Sequence, residues 1–108
     1  MKNESKRYNV IIEKSAARMA LQHVRHLTEY SESAALRFQK EFIDRAKSLE
    51  SMPERCSWVS DPNIDRQKYR KLLFERHYLL IFRVEAETSK VYIDAVVDCH
   101  QNYGWLLY

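Results

Sequence analysis

The chain has 108 residues, of which 45% are hydrophobic, and a single glycine. A chain of this length has the usual size of one domain and buries about two thirds of its unfolded surface. One glycine and two prolines leave no linker, so we predict a single domain over residues 1–108, with residues 1–6 frayed. The formal net charge of +3 is a mild excess that favours anionic partners without requiring them.

Cysteine and histidine spacing argues against cofactor chemistry. Cys56 and Cys99 lie far apart, without a CxxC motif or a histidine at ligand spacing, so we expect neither a zinc site nor a disulfide framework. His23 and His26 lack a third ligand and are interpreted as surface or boundary residues. We therefore expect no cofactor and no metal. No apolar run is long enough for a membrane span, and the N-terminus is too charged for a signal peptide, which favours a cytoplasmic protein.

The first half of the chain predicts one strand and two helices. Residues 8–13 are rich in β-branched side chains and predict a covered strand. Ser15 is expected to cap a first helix, and Ser31 or Ser33 a second one that ends near Met52. The short break between them predicts an antiparallel helical hairpin over one face of a sheet. On the wet side of the second helix we expect the ion pairs Arg37–Glu41, Glu41–Arg45 and Lys40–Asp44.

The second half predicts a sheet. Residues 53–67 predict a long loop, which Trp58 is expected to anchor by packing against the helices. Residues 66–103 contain three apolar, aromatic-rich runs separated by the polar breaks ERH and EAETSK, the pattern of an antiparallel meander. The predicted fold is therefore α+β with the order β-α-α-β-β-β, a helical hairpin packed on a mainly antiparallel twisted sheet.

Alternation of side chains assigns the faces of these strands. In the first strand of the meander, Tyr69, Lys71 and Leu73 share one face, and Arg70, Leu72 and Phe74 the other. In the last strand, the more apolar face consists of Val91, Ile93, Ala95 and Val97, and the more polar face of Tyr92, Asp94, Val96 and Asp98. We expect the apolar face to meet the helices and the polar face to line the functional surface, where the two aspartates would repel a polyanion.

Two long segments carry a family resemblance. They read KYRKLLFERHYLLIFRVE over residues 68–85 and VYIDAVVDCHQNYGWLL over residues 91–107. Together with the predicted order of elements, they resemble the RelE/ParE toxin superfamily of bacterial type II toxin-antitoxin systems. The most specific parts are Tyr-Arg-Lys-Leu at 69–72, Phe-Arg-Val at 82–84, and the ending Gln-Asn-Tyr followed by Trp-Leu-Leu, which is similar to the common Arg-Gln-Asp-Tyr ending of the family.

The resemblance implies a growth-inhibiting toxin, of the kind linked to plasmid stabilisation, that a short antitoxin neutralises. RelE-like members are metal-independent mRNA interferases that cleave RNA on the ribosome, whereas ParE-like members inhibit DNA gyrase and are not nucleases. The fold alone does not choose between these targets. A third alternative is a toxin-fold protein without activity that serves only as an antitoxin partner, and a fourth is an unrelated small α+β interaction domain.

RNA cleavage needs a group that deprotonates the 2′-hydroxyl, cations on the phosphate, and a proton for the leaving oxygen. The resemblance implies His100 as general acid or base, Arg70 and Arg83 on phosphate, and Tyr103 as the C-terminal tyrosine. Leu72 stands where RelE-like nucleases have a second basic residue, so the gyrase alternative stays open. The residues expected to contact RNA or another target are Lys68, Lys71, Arg76 and His77.

Partner binding is expected on a different surface. Antitoxin segments commonly fold on binding and lay an amphipathic helix or a strand on apolar surface. We expect the exposed side of the helical hairpin to provide that surface. The C-terminal residues Trp105, Leu106, Leu107 and Tyr108 are expected to extend it. The same surface offers a route to a homodimer when no antitoxin is bound.

Overall fold

A computed structural model describes residues 6–60 and 67–99. The elements are β1 (Asn9–Ile12), α1 (Lys14–Tyr30), α2 (Glu32–Ser48), β2 (Ser57–Trp58), β3 (Arg70–Phe74), β4 (Tyr78–Glu85) and β5 (Lys90–Asp98), with single 3-10 turns at Pro53–Arg55 and Ala86–Thr88. The strands form one sheet in the order β1-β5-β4-β3-β2. The β1–β5 pair is parallel and the other pairs are antiparallel. The predicted α+β fold is confirmed, with β2 as an additional short strand. Within the described ranges, no helix is long and apolar enough to cross a membrane.

One residue joins the two helices. Ser31 ends α1 and caps α2, where its side chain accepts a hydrogen bond from the Ala34 amide at 3.2 Å. This confirms the first of the two predicted caps. The predicted cap at Ser15 is wrong, because α1 begins at Lys14 with Glu13 as its N-cap, and the Ser15 hydroxyl instead donates to the carbonyl oxygen of Asp94 at 2.8 Å.

The ion pairs of α2 are partly as predicted. Two pairs are confirmed at 3.2 Å each, Arg45–Glu41 and Lys40–Asp44. Arg37 does not pair with Glu41; its Nε lies 2.8 Å from Oε1 of Glu75 in the turn between β3 and β4. The Arg37–Glu75 ion pair thus connects α2 to the sheet, whereas sequence spacing had placed the partner of Arg37 on the helix itself.

Helix α1 follows β1 and covers the edge of β5 beyond the point where β1 ends. The Glu13 amide donates to the Ile93 carbonyl at 3.0 Å. One residue further, Asp94 accepts the bond from Ser15 described above, and the Val96 carbonyl accepts from Nε2 of His23 at 2.8 Å. Because buried carbonyl groups require partners, these side chains replace the missing strand along this edge.

Buried side chains form two clusters, one on each face of the sheet. The larger cluster lies under the helices and is centred on Phe38, which is 1% exposed and lies against the rings of Phe42, Phe74 and Tyr78. The smaller cluster lies on the opposite face, here called the outer face, and consists of Val59, Tyr69, Leu79, Ile81, Ala95 and Val97. Tyr69 thus faces away from Leu72 and Phe74, as predicted for β3.

A β-bulge changes the predicted faces of β5. Ile81 pairs with Ala95 and Phe82 pairs with Ile93, which leaves Asp94 as an extra residue. An extra residue reverses the alternation beyond it. Val91, Ile93 and Val96 therefore face the helices, whereas Ala95 and Val97 face outward. The prediction that residues 91, 93, 95 and 97 share a face is wrong for this reason, and so is the common face assigned to the two aspartates.

The segment before β3 is held differently from the prediction. Val59 is only 4% exposed, whereas Trp58 is 39% exposed. The indole of Trp58 lies 3.7 Å from the guanidinium of Arg70 on the neighbouring strand. The predicted packing of this indole against the helices is wrong, and Val59 is the buried anchor of the segment.

Candidate functional site

The predicted site residues separate into three places. Arg83, Lys68 and Lys71 belong to the outer face and its border. Arg70 lies beside β2. Arg76 and His77 lie in the turn between β3 and β4. The other predicted residues lie outside the described ranges: His100, Tyr103, Trp105, Leu106, Leu107 and Tyr108. The structure therefore does not gather the described residues into one site.

Arg83 is paired within the chain. Its Nε lies 2.9 Å from Oδ2 of Asp94, and its guanidinium lies 4.4 Å from the centre of the Tyr92 ring. Burial lowers the pKa of Arg83, but the hydrogen bond and charge of Asp94 outweigh burial and raise it. Burial raises the pKa of the Asp94 carboxyl despite the opposing effect of Arg83. The carboxylate of Asp94 offsets the guanidinium charge of Arg83 on the outer face.

The two lysines lie near this pair. Lys71 pairs with Ile81, and alternation with the buried Tyr69 places it on the outer face. Lys68 lies with Nζ 5.3 Å from the Tyr69 ring, and its charge favours the ionised form of Asp94. The outer face thus combines cations and a carboxylate on an apolar base.

Arg70 has a structural role in this arrangement. Its Nη1 donates to the carbonyl oxygens of Glu54 at 3.0 Å and Cys56 at 2.6 Å, and Trp58 covers its guanidinium. Two backbone acceptors and an aromatic face are strong ligands for an arginine. These contacts hold the segment before β3 against the sheet and engage Nη1 of Arg70 with backbone carbonyls.

The turn between β3 and β4 is confirmed at Glu75, Arg76 and His77. Phe74 pairs with Tyr78 across it. Glu75 and Arg76 have φ of 46° and 72°, in the left-handed region that residues with a Cβ seldom occupy. Beside the turn lies a cleft of about 550 Å³ that reaches the helical hairpin.

His23 lies among aromatic rings under the sheet, a position that sequence spacing did not reveal. Its ring lies 5.7 Å from that of Phe38 and 5.0 Å from that of Tyr78, beside its bond to Val96. Burial lowers the pKa of His23, against the raising effects of the Val96 carbonyl and the Asp98 charge. Residues 6–60 and 67–99 contain no group of three side chains suited to a metal ion.

The exposed side of the helical hairpin carries apolar side chains. Leu36 is 65% exposed, Ile43 is 53% exposed and Leu21 is 48% exposed. Between the helices, a groove of about 230 Å³ is lined by Ala20, Leu21, Val24, Phe38, Gln39, Phe42 and Ile43. This helical groove lies on the side of the molecule opposite the outer face of the sheet.

In the described residues, a helical hairpin packs on one face of a five-stranded mixed sheet, and this fold is shared with solved structures of toxin-antitoxin systems. The model of the family described as the ParE toxin of the type II toxin-antitoxin system, parDE, matches residues 10–103. Because that match spans most of the sequence, the chain belongs to the ParE toxin family.

Several solved structures share the fold. One, the chromosomal ParDE toxin-antitoxin system from P. aeruginosa, is similar with a TM-score of 0.67 and 17% identity over 87% of this chain and 98% of the other. The second, the toxin-antitoxin complex RelBE2 from Mycobacterium tuberculosis, has a TM-score of 0.62 and 15% identity over 90% of this chain and 97% of the other. No curated protein matches the sequence significantly. Identities this low establish the fold and leave the target open.

Proposed function

We propose that this protein is the toxin of a type II toxin-antitoxin pair and that it inhibits DNA gyrase by binding it, without cleaving RNA. The observation that carries the choice of target is the pairing of Arg83 with Asp94. Cleavage of RNA needs cations aimed at the charge that develops on the phosphate. The contacts of Arg70 with backbone carbonyls support the same choice, as does the match to the ParE toxin family.

The test uses the purified chain in two assays. We expect it to inhibit supercoiling of relaxed plasmid by gyrase and to leave mRNA intact in a translating extract. Two variants, Arg83→Gln and His100→Ala, should keep the inhibition and the toxicity in cells. Cleavage of mRNA in the extract that His100→Ala abolishes would contradict the proposal.

Ribosome-dependent mRNA cleavage is the second candidate. It is favoured by the position of Lys71 and Arg83 on the outer face with Lys68 at its border. Induced expression without an antitoxin separates the candidates. A DNA damage response with altered supercoiling supports gyrase, and rapid arrest of translation supports mRNA. Harmless expression at high level would instead support an inactive toxin-fold protein.

An antitoxin is the proposed partner. The two similar structures named above are a toxin-antitoxin system and a toxin-antitoxin complex. The helical groove, with Ile43 and Leu21 at its border, suits the apolar face of an amphipathic helix. Ile43→Lys should weaken binding of the antitoxin encoded beside this chain at least about tenfold, since it places a charge in an apolar contact. Lys47→Gln, an exposed change on the same helix outside the groove, is the matched control.

The C-terminal residues and self-association are tested in the same titration. Deletion of residues 104–108 is expected to weaken antitoxin binding, and unchanged affinity would contradict their assignment to the interface. We also propose that the free chain forms a homodimer through the helical groove. Sedimentation velocity should then give a dimer for the unaltered chain and a monomer for Ile43→Lys; a monomer at high concentration in both would refute the dimer.

A further inference from the structure

A second cleft combines an apolar floor with a charged rim. It lies where the turn between β3 and β4 approaches the helical hairpin, and its volume is about 550 Å³. The floor consists of Leu27, Ala34, Phe38 and Tyr78, and the rim of Arg37, Glu75, Arg76 and His77. We propose that this cleft, here called the turn cleft, binds a partner protein through an acidic side chain that lies next to an apolar one.

The turn holds Arg76 in place for such a contact. Arg76 is exposed, and no described residue forms a hydrogen bond or an ion pair with it. The left-handed backbone at Glu75 and Arg76 is unfavourable and persists only where surrounding contacts enforce it. Those contacts are the bond from Arg37 to Glu75 at 2.8 Å and the bond from the Cys99 amide to the His77 carbonyl at 2.7 Å. Because the backbone of the turn is already ordered, binding there needs only the side chain of Arg76 to be fixed.

The charge of the rim matches one carboxylate. Arg37 uses its Nε for Glu75, so the two terminal nitrogens of its guanidinium remain for a ligand. Arginine binds carboxylates through two parallel hydrogen bonds. A nucleic acid would instead bring several phosphates near Glu75 and near Asp98, whose Oδ1 lies 3.5 Å from Nδ1 of His77. These carboxylates repel a polyanion and leave room for a single acid.

The floor favours a peptide over free phosphate. Phe38 and Tyr78 are almost fully buried and form the base of the floor, so the apolar surface open to a ligand comes mainly from the half-buried Leu27 and Ala34. An apolar side chain gains free energy by covering such a surface, and inorganic phosphate does not. The inference concerns protein recognition at this cleft and does not depend on gyrase being the target.

The probe is the dipeptide N-acetyl-Phe-Asp-amide, titrated into the isotope-labelled full chain and followed by backbone amide shifts. We expect saturable shifts at Glu75, Arg76 and His77. Arg76→Asn should raise the dissociation constant at least about tenfold, and Arg76→Lys should restore part of the affinity. Asparagine tolerates the left-handed region, so the turn is retained, and the melting temperature verifies this. Arg25→Gln, a basic residue exposed on α1, should leave binding unchanged.

Three results would overturn the inference. The first is the absence of saturable shifts with the dipeptide. The second is equal binding of N-acetyl-Phe-Asn-amide, which lacks the carboxylate. The third is tighter binding of inorganic phosphate than of the dipeptide, which would assign the cleft to a phosphate ligand.

Discussion

Removal of Asp94 from its pair with Arg83 should change both the stability and the charge of the outer face. A hydrogen bond between charged groups contributes about 1.5–3 kcal/mol when it is shielded. The Arg83 side chain is 38% exposed and that of Asp94 17%, so solvent screening reduces the expected loss in Asp94→Ala to about 1 kcal/mol. For a domain of this size, that loss lowers the melting temperature by about 4 °C.

A double-mutant cycle isolates the pair. Urea unfolding of Asp94→Ala, Arg83→Ala and the double variant should give a coupling free energy of about 1 kcal/mol. We expect the perturbation to be local, because the neighbouring residues of β5 are held by their pairing with β4. A coupling below about 0.3 kcal/mol, within the usual error of additivity, would refute the claim that Asp94 holds Arg83.

The same pair can be tested through RNA binding. In Asp94→Asn, the side chain keeps its shape and loses its charge, so Arg83 gains freedom to contact phosphate. The affinity for single-stranded RNA should rise, and the slope of log K against log salt should steepen by about 0.7 for one further phosphate contact. Asp44→Asn, on the exposed side of α2, is the matched control. Equal RNA affinity in the unaltered chain and Asp94→Asn would remove the main support for the gyrase proposal.

Two further predictions concern the helices. Because burial lowers the pKa of His23 below its ordinary value of 6.5, the unfolded chain binds this proton more readily; stability should be complete above pH of about 6.5 and fall below it. His23→Gln should reduce that fall in melting temperature, whereas the exposed control His26→Gln should not. Ser31→Ala removes the cap of α2 and should cost about 1 kcal/mol in urea unfolding, with Ser57→Ala, an exposed serine on β2, as the control. A cost for Ser57→Ala equal to that for Ser31→Ala would contradict the assignment of the cap.

The sequence was sufficient for features that depend on local patterns. The β-branched run at 8–13 and the apolar stripes of both helices predicted their elements, and the turn at 75–77 was placed correctly. These signals are local because a helix or a hairpin turn draws its pattern from neighbouring residues. The ion pair of Arg37 could not be found this way, since its partner Glu75 is brought close only by the packing of α2 on β3.

The missed features depend on pairing between strands. Strand β2 has two residues, too few for a period-two pattern, and it is recognisable only from its bonds to β3. The bulge at Asp94 was missed because strict alternation was assumed along the whole run VYIDAVVD, although three consecutive apolar residues, Ala95, Val96 and Val97, break that pattern. Its register is set by the residues of β4 that face it, in particular Ile81 and Phe82. Face assignments for charged residues in such a strand are unsafe until the partner strand is known.

The bulge itself permits the sharpest test of the outer face. Deletion of Asp94 would make the ladder from Ile93 to Ala95 continuous while Ala95 and Val97 keep their outward direction. Both clusters of the core should therefore survive, and the chain should fold with a loss of a few kcal/mol, since the carbonyl that accepts from Ser15 and the partner of Arg83 are both removed. Loss of cooperative unfolding, measured by circular dichroism, would contradict this account. If the deleted chain folds and still inhibits gyrase, then Asp94 is not required by either the sheet or the target.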